Sequence, residues 1–175
     1  MLPLQKLAAF LGPGRFLRLL RFYPPYLGAG VRIRRVAPDL SRVEVEMQLT
    51  AWNRNFVGTQ FGGSLYSMCD PFFMLMLMMR LGPDYIVWDK SATIDFIHPG
   101  RSPVAATFLL TDTQVEEIRH EADGGTKVFP RFEVTVTDRQ GHSVARVEKT
   151  LYVRRKNGGR PLTRRAPATA GGTTP

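Results

Sequence analysis

The chain has 175 residues, 43% of them hydrophobic and 22% charged, which predicts a single globular domain large enough to bury a core. Its one cysteine, Cys69, excludes an intrachain disulfide framework, and no basic segment precedes the first apolar residues as in a signal peptide, so we expect a cytoplasmic protein. The apolar run at residues 71–79 is far shorter than the roughly 20 residues of a transmembrane helix.

The net charge of +9 is concentrated at the two ends of the chain. Residues 1–35 contain seven Lys or Arg and no acid, and residues 154–175 contain six and no acid. Such ends attract an anionic ligand, a nucleic acid or a membrane surface. Residues 157–175 are rich in Gly, Pro and Thr and have little to bury, so we expect a disordered basic tail. Because no aromatic residues are interleaved with its basic ones, no nucleic acid is expected as a partner.

Residues 1–22 are expected to form a helical extension of two short segments, 4–11 and 15–22, divided by Gly12-Pro13-Gly14. In the second segment arginines share one face and apolar residues another: Arg15, Arg18 and Arg21 against Phe16, Leu19 and Leu20. The pattern is compatible with contact to an anionic membrane surface, but a helix that covers one end of the domain uses the same residues and is the favoured interpretation. The pair Pro24-Pro25 then predicts an extended connection.

After Gly30 the hydrophobic pattern has a period of two, which is typical of half-buried strands. The segment "RVEVEMQLT", residues 42–50, alternates apolar and polar side chains throughout. The alternation recurs in three further segments and in a last strand: residues 92–96, 104–110, 132–136 and a stretch that ends at Val153. Residues 111–125 predict a surface helix instead, with a capping box at Thr113 and Glu116.

Residues 62–81 are too long and too uniformly apolar for a strand and predict one helix that is buried on most sides. About six antiparallel strands would have to cover it, so the expected fold is α+β, a central helix wrapped by an antiparallel sheet. Asp70 is the one acid in this helix, and an unpaired carboxylate out of water costs on the order of several kcal/mol. Pro71 lacks an N–H and predicts a kink, because the Ser67 carbonyl loses its helical partner. Asp70 is therefore either a hydrogen-bonded acid that serves packing or a functional group.

Common catalytic and metal-binding motifs do not occur. The segment "GTQFGGS" lacks the lysine of a P-loop, and Ser64 lacks the following glycine of a nucleophile elbow. The three histidines, His98, His120 and His142, do not have the spacing of metal ligands, so no metal is expected.

Small and polar residues cluster before and within the predicted central helix: Asn55, Gly58, Thr59, Gly62, Gly63 and Asp70. Gly62 and Gly63 open the helix, where backbone N–H groups lack partners, and a glycine pair lets a carbonyl oxygen approach them closely. This is the geometry of an oxyanion hole. Asp70 lies two helical turns further on, where a carboxylate could activate a water or attack directly.

The cluster resembles a known family. The pattern "NxxGTxxGG" from Asn55 to Gly63, followed seven residues later by an acid, is similar to the "NxxGxxHGG" loop of hotdog-fold acyl-CoA thioesterases of the phenylacetate-pathway type. The segments "YPPYLGAG", "FGGSLYSMCDPF", "YIVWDKSATIDFIHPG" and "VARVEKTLYVRRK" are similar to a less characterised branch of often tetrameric acyl-CoA thioesterases. The resemblance implies a hotdog domain over residues 23–156, an acyl-CoA thioester as substrate with no further cofactor, and a homodimer or homotetramer.

The same resemblance implies roles for individual residues. Asp70 corresponds to the catalytic acid, and the amide of Gly62 or Gly63 to the donor that polarises the thioester carbonyl. Asn55 corresponds to the residue that orders the loop or a water, although turn formation explains this asparagine equally well. The implied activity is hydrolysis of the thioester to a free acid and CoA.

The substrate is further expected to meet Phe61, Gly58, Thr59 and Arg101, with Arg101 near the CoA phosphates. Phe61 stands where the family has a histidine. Because a phenyl ring can neither accept nor donate a proton, a mechanism that needs this imidazole is excluded. The departure leaves an alternative function, a non-catalytic acyl-CoA or lipid-binding module of the same fold.

Overall fold

Residues 11–156 are described by the structure, a computed structural model of the chain. In chain order they form helix α1 (Pro13–Leu19), a 3-10 turn (Leu20–Phe22), helix α2 (Pro24–Ala29), strands β1 (Val31–Val36) and β2 (Arg42–Met47), helices α3 (Gly62–Ser67) and α4 (Phe72–Leu81), strands β3 (Tyr85–Phe96) and β4 (Val104–Leu109), helix α5 (Asp112–Asp123), and strands β5 (Arg131–Asp138) and β6 (Ser143–Arg155). Within this part of the chain no helix is long and apolar enough to cross a membrane. The expectations for residues 4–10 and for the tail 157–175 lie outside the described residues.

The six strands form one antiparallel sheet in the order β1-β2-β4-β5-β6-β3, which confirms the predicted sheet. Strands β2, β4 and β5 alternate between buried and more exposed residues, because one face lies on the core and the other faces solvent. Strands β1 and β3 are the edges of the sheet within residues 11–156.

A bulge interrupts the long β3–β6 ladder. Asp89 pairs with Leu151 and Ser91 with Thr150, so Lys90 is the extra residue. Ala92 pairs with Lys149, and both Lys149 and Leu151 are buried on the helix side of the sheet. The bulge therefore turns both Asp89 and Ala92 toward the helices.

Helices α3 and α4 lie on one face of the sheet and fill the core. Phe72 and Met76 are fully buried. The ring of Phe72 lies 4.8 Å from that of Phe108 in β4, and the ring of Phe73 lies 4.8 Å from that of Phe132 in β5, measured between centroids. Each aromatic pair of this kind contributes about 0.5–1.5 kcal/mol beyond its buried area. The predicted α+β architecture, a central helical segment covered by an antiparallel sheet, is confirmed.

The central helix is two helices rather than the single one predicted over residues 62–81. Helix α3 ends at Ser67 and α4 begins at Phe72. Pro71 has no N–H to offer the Ser67 carbonyl, which accepts instead from the Asp70 amide at 3.4 Å. Helix α4 then starts afresh, with the Leu75 amide donating to the Pro71 carbonyl at 2.8 Å. The proline thus breaks the helix where a kink was expected.

The N-terminal helix packs with most, but not all, of its predicted apolar face. Phe16 and Leu17 are buried in the core, whereas Leu19 is exposed. Leu20 is partly buried and packs against the core as predicted, so Leu17 takes the place of Leu19. The helix packs against β1, and Leu17 is its fully buried residue.

The pair Pro24-Pro25 does not form the extended connection that was predicted. It starts helix α2, at the first two positions of the helix. These positions need no N–H donor within the helix, and the fixed φ of proline suits them.

Helix α5 is capped two residues earlier than predicted. The Thr111 hydroxyl oxygen accepts from the Gln114 amide at 3.2 Å, and the Gln114 side-chain oxygen accepts from the Thr111 amide at 3.0 Å. The capping box therefore uses Thr111 and Gln114, not Thr113 and Glu116, because strand β4 ends at Leu109 and the chain turns at once.

Candidate functional site

The loop before α3 is held in shape by Asn55. Its side-chain oxygen accepts from the amides of Val57 at 3.1 Å and Thr59 at 3.0 Å, and its nitrogen donates to the Thr59 hydroxyl at 2.9 Å. Gly58 has φ +80°, a conformation that favours glycine. Both polar atoms of the Asn55 side chain are thus used inside their own loop, so the geometry favours the loop-ordering role over contact with a water.

Gln60 joins this loop to the loop after β3, which carries Arg101. The Gln60 amide donates to the Gly100 carbonyl at 2.8 Å, and its side-chain nitrogen donates to the Ser102 carbonyl at 3.1 Å. Arg101 lies between these two residues and is exposed. Its loop is therefore fixed against the motif, and contact of Arg101 with CoA phosphates stays a prediction.

Two backbone amides are free at the start of α3. The Ser64 and Leu65 amides both donate to the Phe61 carbonyl, at 2.9 and 3.0 Å. Within residues 11–156 the amides of Gly62 and Gly63 have no acceptor, and no side chain caps the helix. Two adjacent free donors can bind a carbonyl oxygen and stabilise charge that develops on it.

Two exposed aromatic rings flank the glycine pair. A Cβ on Gly62 would lie 2.9 Å from the Phe96 ring, and one on Gly63 would lie 2.6 Å from the Phe61 ring. Both distances are closer than carbon atoms approach one another, so the rings occupy the space that a side chain would need. Phe61 thus lies against the glycine pair, as does Phe96 of β3. Nothing in the sequence indicated that Phe96 is part of the site.

Asp70 lies at the break between α3 and α4 and is balanced by a cation. Lys149 Nζ lies 2.6 Å from Asp70 Oδ1, and the Tyr66 hydroxyl donates to the same oxygen at 2.9 Å. The Asp70 side chain is 46% exposed. Its second oxygen, Oδ2, has no hydrogen-bond donor among the described residues. Asp70 is therefore a paired carboxylate that still reaches solvent.

Lys149 is almost fully buried, with 1% of its side chain exposed. It also donates to the Asp70 carbonyl oxygen and lies 3.2 Å from Asp89 Oδ2. Burial alone would lower the pKa of Lys149, but the hydrogen bond and charge of Asp70, with the charge of Asp89, raise this pKa above its usual value. Lys149 is thus a charged ammonium inside the protein.

The other members of the cluster respond to the same surroundings. Burial and the hydrogen bond to Asp70 raise the pKa of Tyr66, so its hydroxyl stays a donor. Burial also raises the pKa of Asp89, an effect that Lys149 opposes. The cluster therefore consists of one ammonium, two carboxyl groups and one hydroxyl, which come from α3, the break after it, β3 and β6.

Sequence reasoning missed Lys149, although the sequence contains a signal for it. In β6 the buried side of the alternation runs through Val147, Lys149, Leu151 and Val153. A lysine in phase with apolar residues predicts a buried partner of opposite charge. The unexplained carboxylate at Asp70 and the unexplained lysine at Lys149 are each other's partners.

Cys69 is a packing residue. Only 1% of it is exposed, and burial raises the pKa of its thiol to about 12. A thiol in this state is unreactive at neutral pH. Among residues 11–156, no three His, Cys, Asp or Glu side chains lie close enough together to hold a metal ion.

Comparison with known proteins finds one matching family model. The family model described as "Domain of unknown function (DUF4442)" matches residues 12–153. No curated protein matches the chain significantly.

Solved structures with a similar fold include three bacterial proteins. A protein of unknown function from Pseudomonas aeruginosa, described as a probable thioesterase, is 20% identical, with a TM-score of 0.72 over 81% of this chain and 95% of its own. A Haemophilus influenzae thioesterase is 14% identical, with a TM-score of 0.60 over 81% and 90%. The PaaI protein from the phenylacetic acid degradation operon of E. coli is 17% identical, with a TM-score of 0.52 over 78% and 91%. The chain has the hotdog fold, which confirms the resemblance, and at these identities the likeness concerns the fold alone.

Proposed function

The chain belongs to the family described as a domain of unknown function, DUF4442, and because that description names no activity, we propose one from the site. The protein hydrolyses an acyl-CoA thioester to a free acid and CoA. The observation that carries this proposal is the Asp70 carboxylate, which is half-exposed beside the helix break and has Oδ2 free of donors within the described residues. Thioesterase descriptions of two structural neighbours support it.

In the proposed reaction the thioester carbonyl oxygen accepts hydrogen bonds from the Gly62 and Gly63 amides, which stabilise its charge in the tetrahedral intermediate. Each residue of an α-helix rises about 1.5 Å, so α3 keeps Asp70 roughly 10–12 Å from the glycine pair of its own chain. Asp70 Oδ2 of a second copy, across a dimer interface, therefore takes a proton from water as the water oxygen attacks the carbonyl carbon. The carbon–sulfur bond then breaks, the free acid forms, and the proton passes to the CoA thiolate. Phe61 takes no part in proton transfer, and with Phe96 it provides an apolar wall for the acyl group.

Substitution of Asp70→Asn tests the proposal. Asparagine keeps the shape of the side chain, and Lys149 keeps Asp89 and the backbone oxygen of residue 70 as partners, so the variant is expected to fold. Loss of a general base lowers kcat by about 10²–10⁴-fold. The measurement is thiol release from CoA esters ranging from acetyl to palmitoyl.

Asp95→Asn is the matched control, because Asp95 is an exposed carboxylate on β3 that pairs with Arg146 on the outer face. Its kcat should equal that of the unaltered protein. Turnover by Asp70→Asn within tenfold of the unaltered chain would exclude Asp70 as the base. Failure of the unaltered chain to release CoA from every ester would exclude the activity.

Phe61 favours a second candidate, a module that binds acyl-CoA or lipid without hydrolysing it. The Phe61 ring lies beside Gly63. In the family that this sequence resembles, a proton-transferring histidine stands in place of Phe61. Calorimetric titration with the same CoA esters distinguishes the two functions. Micromolar binding without thiol release supports the module, and release that depends on Asp70 supports the enzyme.

We also propose that two copies pair through β3. This strand has 12 residues and is hydrogen-bonded on one side only, to β6, within the described chain. Ala92 and Phe96 face the helix side but are exposed. A long, partly apolar edge is a template for a strand from a second chain. Such pairing would bring a second copy beside the glycine pair, in keeping with the expected homodimer or homotetramer.

A further inference from the structure

Two donors converge on one oxygen of Asp70 and leave the other free. Lys149 Nζ is 2.6 Å and the Tyr66 hydroxyl is 2.9 Å from Oδ1, whereas Oδ2 has no donor in the described part of the chain. The two oxygens of a carboxylate are chemically equivalent and exchange when the side chain rotates. Charge-assisted hydrogen bonds of this length hold one orientation.

We propose that Lys149 is the positioning residue of this site: with Tyr66 it holds Oδ1 of Asp70, and so presents Oδ2 to the attacking water. The inference rests on the proposed thioester hydrolysis, in which Asp70 is the base. Lys149 itself touches neither substrate nor water and acts only through Asp70.

Lys149 fixes the backbone as well as the side chain of Asp70. Its ammonium donates to the Asp70 carbonyl oxygen, at the point where Pro71 interrupts the helix. A residue in a helix break has no regular hydrogen-bonding pattern to hold it in place. One ammonium therefore sets both the position of the residue and the rotation of its carboxylate.

Lys149 is itself held firmly enough to do this. It lies on β6 between buried Val147 and Leu151, and β6 is paired on both sides, with β5 and β3. Asp89, turned inward by the bulge in β3, holds the ammonium at 3.2 Å as a second carboxylate. A donor fixed by rigid neighbours orients its acceptor more precisely than a mobile surface lysine does.

Stability alone does not account for a lysine at this position. Replacing a buried ion pair by apolar side chains of similar volume is often neutral or stabilising. Asp70 and Asp89 are 46% and 31% exposed, so both carboxylates can turn to water when the ammonium is removed. Lys149→Met is consequently expected to fold, and its main loss should be catalytic.

A double-mutant cycle of Lys149→Met and Asp70→Asn tests the inference. In the unaltered background Lys149→Met should lower kcat about 100-fold and change KM less than threefold. In the Asp70→Asn background the same change should alter the residual rate less than threefold, because the group that Lys149 positions is already gone. The matched control is Arg146→Met, which removes an exposed β6–β3 ion pair with Asp95 and should leave kcat unchanged.

Tyr66→Phe keeps the test decisive if Lys149→Met does not fold, since it removes only one hydroxyl. It should lower kcat three- to tenfold in the unaltered background and less than twofold with Asp70→Asn. Equal losses in both backgrounds, or full activity of both variants, would overturn the positioning role while Asp70 remained the base. Activity of Asp70→Asn itself at the unaltered rate would overturn the proposed function and this inference with it.

Discussion

Lys149 and Cys69 are close neighbours of Asp70 whose ionisation depends on the fold in different ways. Lys149 is charged and buried, and its carboxylate partners raise its pKa. Its contribution to stability is fully present below the pKa of an unfolded lysine, 10.5, and is lost only as the pH rises through the raised folded value. Cys69 is neutral and buried, and burial raises its pKa from 9.0 to about 12.

We predict that Cys69 makes the protein sensitive to alkali. Between pH 9 and 12 the folded state keeps the thiol proton that the unfolded state has lost, so the free energy of unfolding falls with rising pH. One such group contributes a slope of at most about 1.4 kcal/mol per pH unit. Cys69→Ala should remove this slope, which urea unfolding at pH 7, 9 and 10.5 would measure.

Val144→Ala is a suitable control for Cys69→Ala, because Val144 is equally buried but cannot ionise. It should lower the free energy of unfolding by the same amount at each pH. The prediction would be contradicted if the free energy of unfolding fell equally with pH in the Cys69→Ala variant and the unaltered protein up to pH 10.5.

At the scale of elements, α3 separates two parts of the candidate site, and the break after α3 positions the carboxylate. The free amides lie at the start of α3, and the carboxylate lies just after its end. A continuous helix would satisfy the Asp70 carbonyl with a backbone amide from the next turn, which would compete with Lys149 for that oxygen. Pro71 prevents the continuous helix.

Pro71→Ala is therefore expected to cost activity rather than stability. Alanine restores an N–H and a strong helix former, so the free energy of unfolding should change by less than about 1 kcal/mol. We expect kcat to fall at least tenfold as Asp70 is drawn into helical geometry. Pro83→Ala, in the exposed loop after α4, is the matched control and should keep full activity, and an unchanged kcat in Pro71→Ala would refute the role of the break.

At the scale of the whole molecule, the uncovered part of β3 leaves the site open on one side. Phe96 on the helix side and Trp88 on the outer side of the same strand are 61% and 60% exposed. Only the helix side adjoins the glycine pair. A second copy paired along β3 would cover this side first.

Phe96→Glu should accordingly weaken the proposed dimer and yield monomer. The substitution removes the burial of an aromatic side chain, which contributes roughly 1.5–3 kcal/mol per subunit. The new carboxylate is also costly to bury. Trp88→Glu, with nearly the same exposure on the opposite face, should give no monomer. Light scattering after size-exclusion chromatography measures both masses, and a monomeric unaltered chain would contradict the pairing.

Local patterns in the sequence determined much of the fold and part of the site. Alternation over 42–50, 104–110 and 132–136 predicted strands, because one face of a sheet must be apolar along the whole strand. The apolar length of residues 62–81 predicted a buried central helix, and Pro71 predicted a kink at the place where the structure has a break. The spacing of Asn55, the glycine pair and Asp70 predicted a loop, donors and an acid that are all near in the chain.

Tertiary structure alone decided which groups meet across elements. Lys149 is 79 residues from Asp70, and only the pairing of β6 with β3 and its packing under the helix break bring their charges within 2.6 Å. The same holds for Phe96 beside Gly62. Packing likewise decided that α1 buries Leu17 and leaves Leu19 exposed. A sequence pattern specifies which side of an element is apolar, whereas the partner of a buried charge depends on the register between distant strands and on the space that packing leaves.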